Sequence, residues 1–271
     1  SMEDITMKFN KIILYLIILF TGYGAILFIP VGKINIAIPV IYESSEILWT
    51  TLPLSMLLDI LITPPFVLIM IYYIYKAITE QPLFNKAEPS QRQRDIIRIL
   101  LYGAAIVFVA GVIMHAVCNQ LNGILGNPKP PTSAFEITVY FFDEVLGHKL
   151  IHFALITFFI GLMFVQYWHR KKPELGRWEE LGLYFWASIA GTIYAISAIE
   201  GQAGFDMLVI SVCLCMIILY CLKFKGLNLR ENIFTYFILV FLIALAVTTI
   251  IYGMIIGFKL GYPFFYQPSE L

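Results

Sequence analysis

Apolar residues run through this chain in long uninterrupted stretches, and polar residues gather between them. Seven stretches approach the twenty or so mostly apolar residues that a membrane-crossing helix needs: 12–28, 53–75, 96–118, 145–168, 181–199, 207–222 and 233–258, the sixth being the shortest. The pattern predicts an all-α, polytopic membrane protein, with residues 1–271 forming a single domain of seven transmembrane helices.

The connections predict a direction for each helix, because Lys and Arg near the ends of spans collect on the cytoplasmic side. Lys8 and Lys11 precede the first span; Lys76, Lys86, Arg92, Arg94 and Arg98 lie between the second and third. Arg170, Lys171, Lys172 and Arg177 follow the fourth, and Lys223, Lys225 and Arg230 follow the sixth. The alternate connections hold only Lys33, then Lys129 with Lys149, then none. An inside N-terminus and an outside C-terminus follow. The connection 31–51, largely apolar with Lys33, Glu43 and Glu46, is expected to lie along the interface as a helix. Loop 119–133 must turn at Asn127-Pro-Lys-Pro-Pro131, and the fourth helix is expected to start near Ala134, capped by Ser133 with Glu136 in its first turn.

Composition sharpens the class. Charged residues are 13% of the chain against about 25% in soluble domains, and mean hydropathy is +0.83. The formal net charge of zero and the scattered basic clusters give no footprint for nucleic acid. The first apolar run is too long for a cleavable signal and lacks a small-residue cleavage site, so it reads as a span. Cys118, Cys213, Cys215 and Cys221 form no CxxC pair or disulfide framework and read as buried small hydrophobes. Most aromatic residues are expected in interface belts and on lipid-facing surfaces. Glycines inside the spans, among them Gly22, Gly24, Gly103, Gly111, Gly161, Gly182 and Gly191, suit close helix contacts. Gly147, just before His148, suits the approach of a neighbouring helix or an ion.

The chemistry gathers at one depth. Glu144, His148 and His152 follow one another at four-residue spacing, which stacks them on one stripe of a helix. Asp59 lies in the outer half of the second span, ahead of Pro64 and Pro65, which should bend that helix. His115 lies near the outer end of the third span with Asn119 one turn above it, and Glu200, Gln202 and Asp206 border the outer ends of the fifth and sixth. Anchoring to lipid headgroups would call for Lys and Arg here; the band is instead carboxylate and imidazole, a ligand set for a divalent cation. Asp143 points elsewhere on the helix and is expected in solvent, and His169, in a basic cluster, is set aside.

His115, His148, His152 and Asp59 are therefore the expected metal ligands, with Glu144 or Glu200 as general base. Zinc in such a site lowers the pKa of bound water towards 7. The ligand set resembles that of the seven-helix alkaline ceramidase and adiponectin-receptor superfamily, which gathers a His, an Asp and an HxxxH pair around zinc. Four residues carry the likeness. Their order differs: here the HxxxH pair lies on the fourth span and Asp59 precedes His115, whereas in that superfamily the pair lies on the last helix and the Asp follows the first His. The expected function is a zinc-dependent intramembrane hydrolase acting on a lipid amide or ester from the outer leaflet. Two other chemistries fit the same residues: a membrane oxidoreductase using iron, copper or haem, and a cation transporter or sensor with an acidic outer vestibule. The expected setting is a multi-pass protein of the plasma membrane if the source is prokaryotic, with the site on the non-cytoplasmic face. Its expected partner is a membrane lipid, with a homo-oligomer left open.

Overall fold

A computed structural model of the chain describes residues 10–28, 34–42, 46–83, 88–126, 131–170, 175–257 and 265–267. Lys8, Lys33, Glu43, Lys86, Lys129, Lys171, Lys172 and the turn residues 127–130 lie outside them. The fold is mostly helical. Its elements are α1 (Lys11–Phe28), β1 (Asn35–Tyr42), β2 (Glu46–Pro53), α2 (Leu54–Leu61), α3 (Thr63–Thr79), α4 (Gln91–Ile124), α5 (Ala134–Tyr140), a π-helical turn (Phe141–Gly147), α6 (His148–Trp168), α7 (Arg177–Glu200), α8 (Gly204–Phe224) and α9 (Ile233–Ile256).

Six helical stretches are long and apolar enough to cross a membrane: Leu54–Thr79, Gln91–Ile124, Ala134–Trp168, Arg177–Glu200, Gly204–Phe224 and Ile233–Ile256. The apolar helix Lys11–Ile26 is shorter. Their outward faces are apolar as well. On α4, Ile99, Tyr102 and Ile106, spaced at helical intervals, are each about 70% exposed, a continuous greasy stripe that a soluble monomer would not carry.

Local sequence explains where the helices start and stop. Ser90 with Gln93 and Ser133 with Glu136 close reciprocal capping boxes at the starts of α4 and α5, each occupying backbone N–H groups that the first turn leaves unpaired. Pro64 and Pro65 fill the first positions of α3, so the second span is broken at Ile62 into α2 and α3, as a ring without an N–H requires. The connection expected as an interface helix is instead an antiparallel hairpin, β1 pairing β2 with Asn35 opposite Pro53 and Tyr42 opposite Glu46. Dense β-branched residues there favour an extended chain over a helix.

The helices run alternately up and down, and their ends collect into two polar layers. One holds the basic residues. Lys11 pairs with Glu80 at 3.0 Å, Arg170 with Glu231 at 3.3 Å, and Arg230 with Glu180 at 3.1 Å. The fully buried Gln166 braces this layer, donating to Gln81 Oε1 at 2.9 Å and accepting from the Phe234 N–H at 3.3 Å. Between the layers the core is apolar. Phe20, Phe159, Phe237 and Phe241 stack at its centre, so part of the aromatic content serves the interior rather than the interface. The second layer, at the other end of the bundle, carries His115, His148 and His152.

Small residues set the closest helix contacts. A Cβ on Gly111 would meet Leu150 and Ile151, one on Gly161 would meet Leu101, and one on Gly191 would lie 2.3 Å from the Phe241 carbonyl oxygen. Gly24, Gly103 and Gly182 face open space, so they do not serve the close contacts expected of them.

Candidate functional site

The site begins with the π-helical turn. Residues 134–168 would run as one helix, but over Phe141–Gly147 the backbone widens. A turn closed by i→i+5 bonds shifts the residues before it around the axis relative to those after it. Asp143, which regular phasing would aim away from the His148–His152 stripe, is carried against α4. It is fully buried, not solvated.

Its carboxylate meets two groups from α4. Oδ1 lies 2.9 Å from His115 Nδ1, an ion-pair contact without hydrogen-bond alignment, and Oδ2 accepts from the Asn122 amide at 3.5 Å. Asn119, the amide expected above His115, is exposed. Gly147 lets the two helices come this close: a Cβ there would sit 3.0 Å from that of His115.

From His115 the imidazoles form a file into the bundle. The His115 and His148 rings lie 4.2 Å apart between centroids, and His148 and His152 lie 6.4 Å apart with their planes nearly parallel. His152 ends the file. It is buried, the Tyr194 ring packs edge-on against it at 4.9 Å, and the Tyr194 hydroxyl donates to its backbone carbonyl at 3.3 Å. The Ser197 backbone approaches its ring, but neither Nδ1 nor Nε2 makes a well-aligned hydrogen bond. A buried imidazole whose nitrogens lack well-aligned partners is costly unless something else uses them.

The acids surround the file. Glu144, one turn before His148, interacts electrostatically with His115, Asp143 and Glu200. Asp59, on α2 against α4, interacts with His115 and Tyr23. Gly201, at the end of α7, touches His148 so closely that a Cβ would lie 2.5 Å from its ring. Lys149 pairs with Asp206 at 2.8 Å across α6 and α8, which ties the rim together.

The structure therefore brings His115, His148 and His152 into one row, with Asp59 and Glu144 in electrostatic reach and Glu200 beside Glu144. Among the described residues no three His, Cys, Asp or Glu side chains are drawn together as a ready metal-ligand group. Zinc held at about 2.0–2.1 Å by imidazole nitrogens needs those nitrogens roughly 3.3 Å apart, so His148 and His152 must turn towards His115 to share an ion. The donor chemistry fits: ring nitrogens without well-aligned hydrogen bonds, and a His–carboxylate contact of the kind that orients metal-bound imidazoles. Asp143, Asn122 and Tyr194 are the members that sequence reasoning missed. Asn122 lies on the helical face of His115, two turns on, which is a readable signal; nothing in the sequence announces the π-helical turn.

The opposite end offers a different space. A cavity of about 370 Å³ is lined by Leu175, Arg177, Glu180, Leu181, Tyr184 and Arg230, at the opposite end of α7 from the histidine layer, a helix of 24 residues and so about 36 Å long. His169 lies in this layer, with Nδ1 2.9 Å from the Gln81 carbonyl oxygen. The chain matches no protein-family model, no curated protein and no solved structure. Its function is read from its own geometry.

Proposed function

We propose that the protein is a zinc-dependent intramembrane hydrolase that cleaves the amide or ester bond of a membrane lipid. One observation carries the reading: His152 is buried with neither ring nitrogen in a well-aligned hydrogen bond, in file with His148 and His115. In this reading α1 also crosses the membrane and completes a set of seven spans, the N-terminus is cytoplasmic, and the C-terminus and site face the non-cytoplasmic side of the plasma membrane. The basic residues of the opposite layer support that orientation.

His115, His148 and His152 would hold the ion through ring nitrogens, and Asp59 would supply the oxygen. Asp143 stands behind His115 at Nδ1, so that Nε2 would be the nitrogen left to serve as a ligand. When bound, zinc supplies Lewis-acid activation of water and of the acyl carbonyl. Glu144 takes a proton from the attacking water as its oxygen bonds to the acyl carbon; as the bond to the leaving nitrogen or oxygen breaks, Glu144 returns that proton to it. Glu200 flanks Glu144 and helps to hold the proton. Interior Tyr194 closes the far end of the file against water.

The test is release of free fatty acid from a panel of long-chain N-acyl and O-acyl lipids by the protein in nanodiscs. Release is expected to fall about 100-fold or more with 1,10-phenanthroline or in Glu144→Gln, and to return in the chelated sample when zinc is restored. Release that ignores both treatments, or none from zinc-loaded protein, would overturn the assignment.

A further inference from the structure

The chain's own C-terminal residues enter the site. Phe265 is buried against Gly204 at the start of α8 and packs near the Tyr252 ring of α9. The Tyr252 hydroxyl donates to the Tyr266 carbonyl at 2.8 Å. These two anchors deliver Gln267, which is 7% exposed. Its side-chain amide donates to Glu144 Oε2 at 3.5 Å and to the Glu200 backbone carbonyl. Both acceptors adjoin the histidine file: Glu144 lies one helical turn before His148, and Glu200 precedes Gly201, which presses on the His148 ring.

We infer that the Glu144 carboxylate and the Glu200 carbonyl form a subsite for an N–H donor, which Gln267 fills in the resting protein and a ligand bearing such a group fills in its place. This rests on the hydrolase reading for its consequence, and it narrows the substrate to lipids with an N–H at the polar end. Two acceptors converging on one nitrogen match an amide, which brings a donor. An ester has no hydrogen to give them and would leave both facing another acceptor. The tail is then an occupant that substrate displaces, its carboxamide standing where the substrate's nitrogen sits.

The experiment compares the full chain with Gln267→Ala, and with Gln267→Ala carrying Glu144→Leu, all in nanodiscs. Radiolabelled hexadecanamide and methyl hexadecanoate, equal in chain length and differing in the N–H, are the probes. Removing the occupant is expected to tighten hexadecanamide binding about tenfold and to leave the methyl ester unchanged. Adding Glu144→Leu, which carries no acceptor, should cancel the gain. Equal tightening of both probes, or of neither, overturns the subsite. Zinc content is measured on the same samples: zinc-free protein that keeps the amide preference sinks the hydrolase reading alone, and zinc-loaded protein without the preference sinks the subsite alone.

Discussion

Asp143→Ala is expected to weaken zinc binding by about 10- to 100-fold, the effect of removing a carboxylate that orients a metal-bound imidazole. The side chain is fully buried and stands 2.9 Å from His115 Nδ1, so its loss frees the ring to turn and to take either tautomer. Stability should fall too. A charge stranded in the interior would cost about 3–5 kcal/mol, but His115 can release its proton and its side chain is 24% exposed. The cost is therefore nearer the roughly 1–3 kcal/mol of an unpartnered polar group. Asp143→Asn separates the two effects, because it keeps the shape and the neighbourhood of Asn122 while discarding the charge. It should lose zinc affinity and little stability. Competition against a chromophoric chelator reads the first quantity, and unfolding in detergent reads the second. Zinc affinity unchanged in both variants would reduce Asp143 to a packing residue.

Gly191→Ala is expected to destabilise the bundle by about 1–3 kcal/mol. The added methyl would lie 2.3 Å from the Phe241 carbonyl oxygen and 3.0 Å from Ala244 Cβ. A backbone oxygen cannot rotate away, so α7 and α9 must separate. Gly182→Ala on the same helix is the control. Nothing lies within 4 Å of its Cβ position, so only helix propensity acts there, and that favours alanine by up to about 1 kcal/mol. Two identical chemical changes on one helix should thus shift the melting temperature in opposite directions. Equal shifts would mean that α7 and α9 do not touch at Gly191.

The helices were legible in the sequence because twenty apolar residues in a row have few other uses. The start of α5 at Ala134, the break at Pro64 and Pro65 and the close contacts at Gly22, Gly111, Gly161 and Gly191 were also open to reading. Each follows from local chemistry. Gly24, Gly103 and Gly182 look the same in sequence, since what a glycine faces is decided by the neighbouring helix. The hairpin β1–β2 was missed because an apolar stretch without polar alternation gives the same signal extended or coiled. The density of Ile, Val and Thr at Ile36, Ile38, Val40, Ile41, Ile47, Thr50 and Thr51 was the available hint.

Within the site, His148 and His152 declared themselves by spacing and Asp59 by its intramembrane position. Asp143 did not. Regular helical geometry placed it in solvent, and only the widened turn brings it to His115. The contribution of Gln267 lay further out of reach, since 123 residues separate it from Glu144.

Metal content of the detergent-purified protein, beside a His148→Ala, His152→Ala double variant, decides whether the imidazole file holds an ion. About one zinc per chain in the natural sequence and almost none in the variant is the expected result. Iron with a Soret band in the natural sequence, or no metal in either sample, would contradict it.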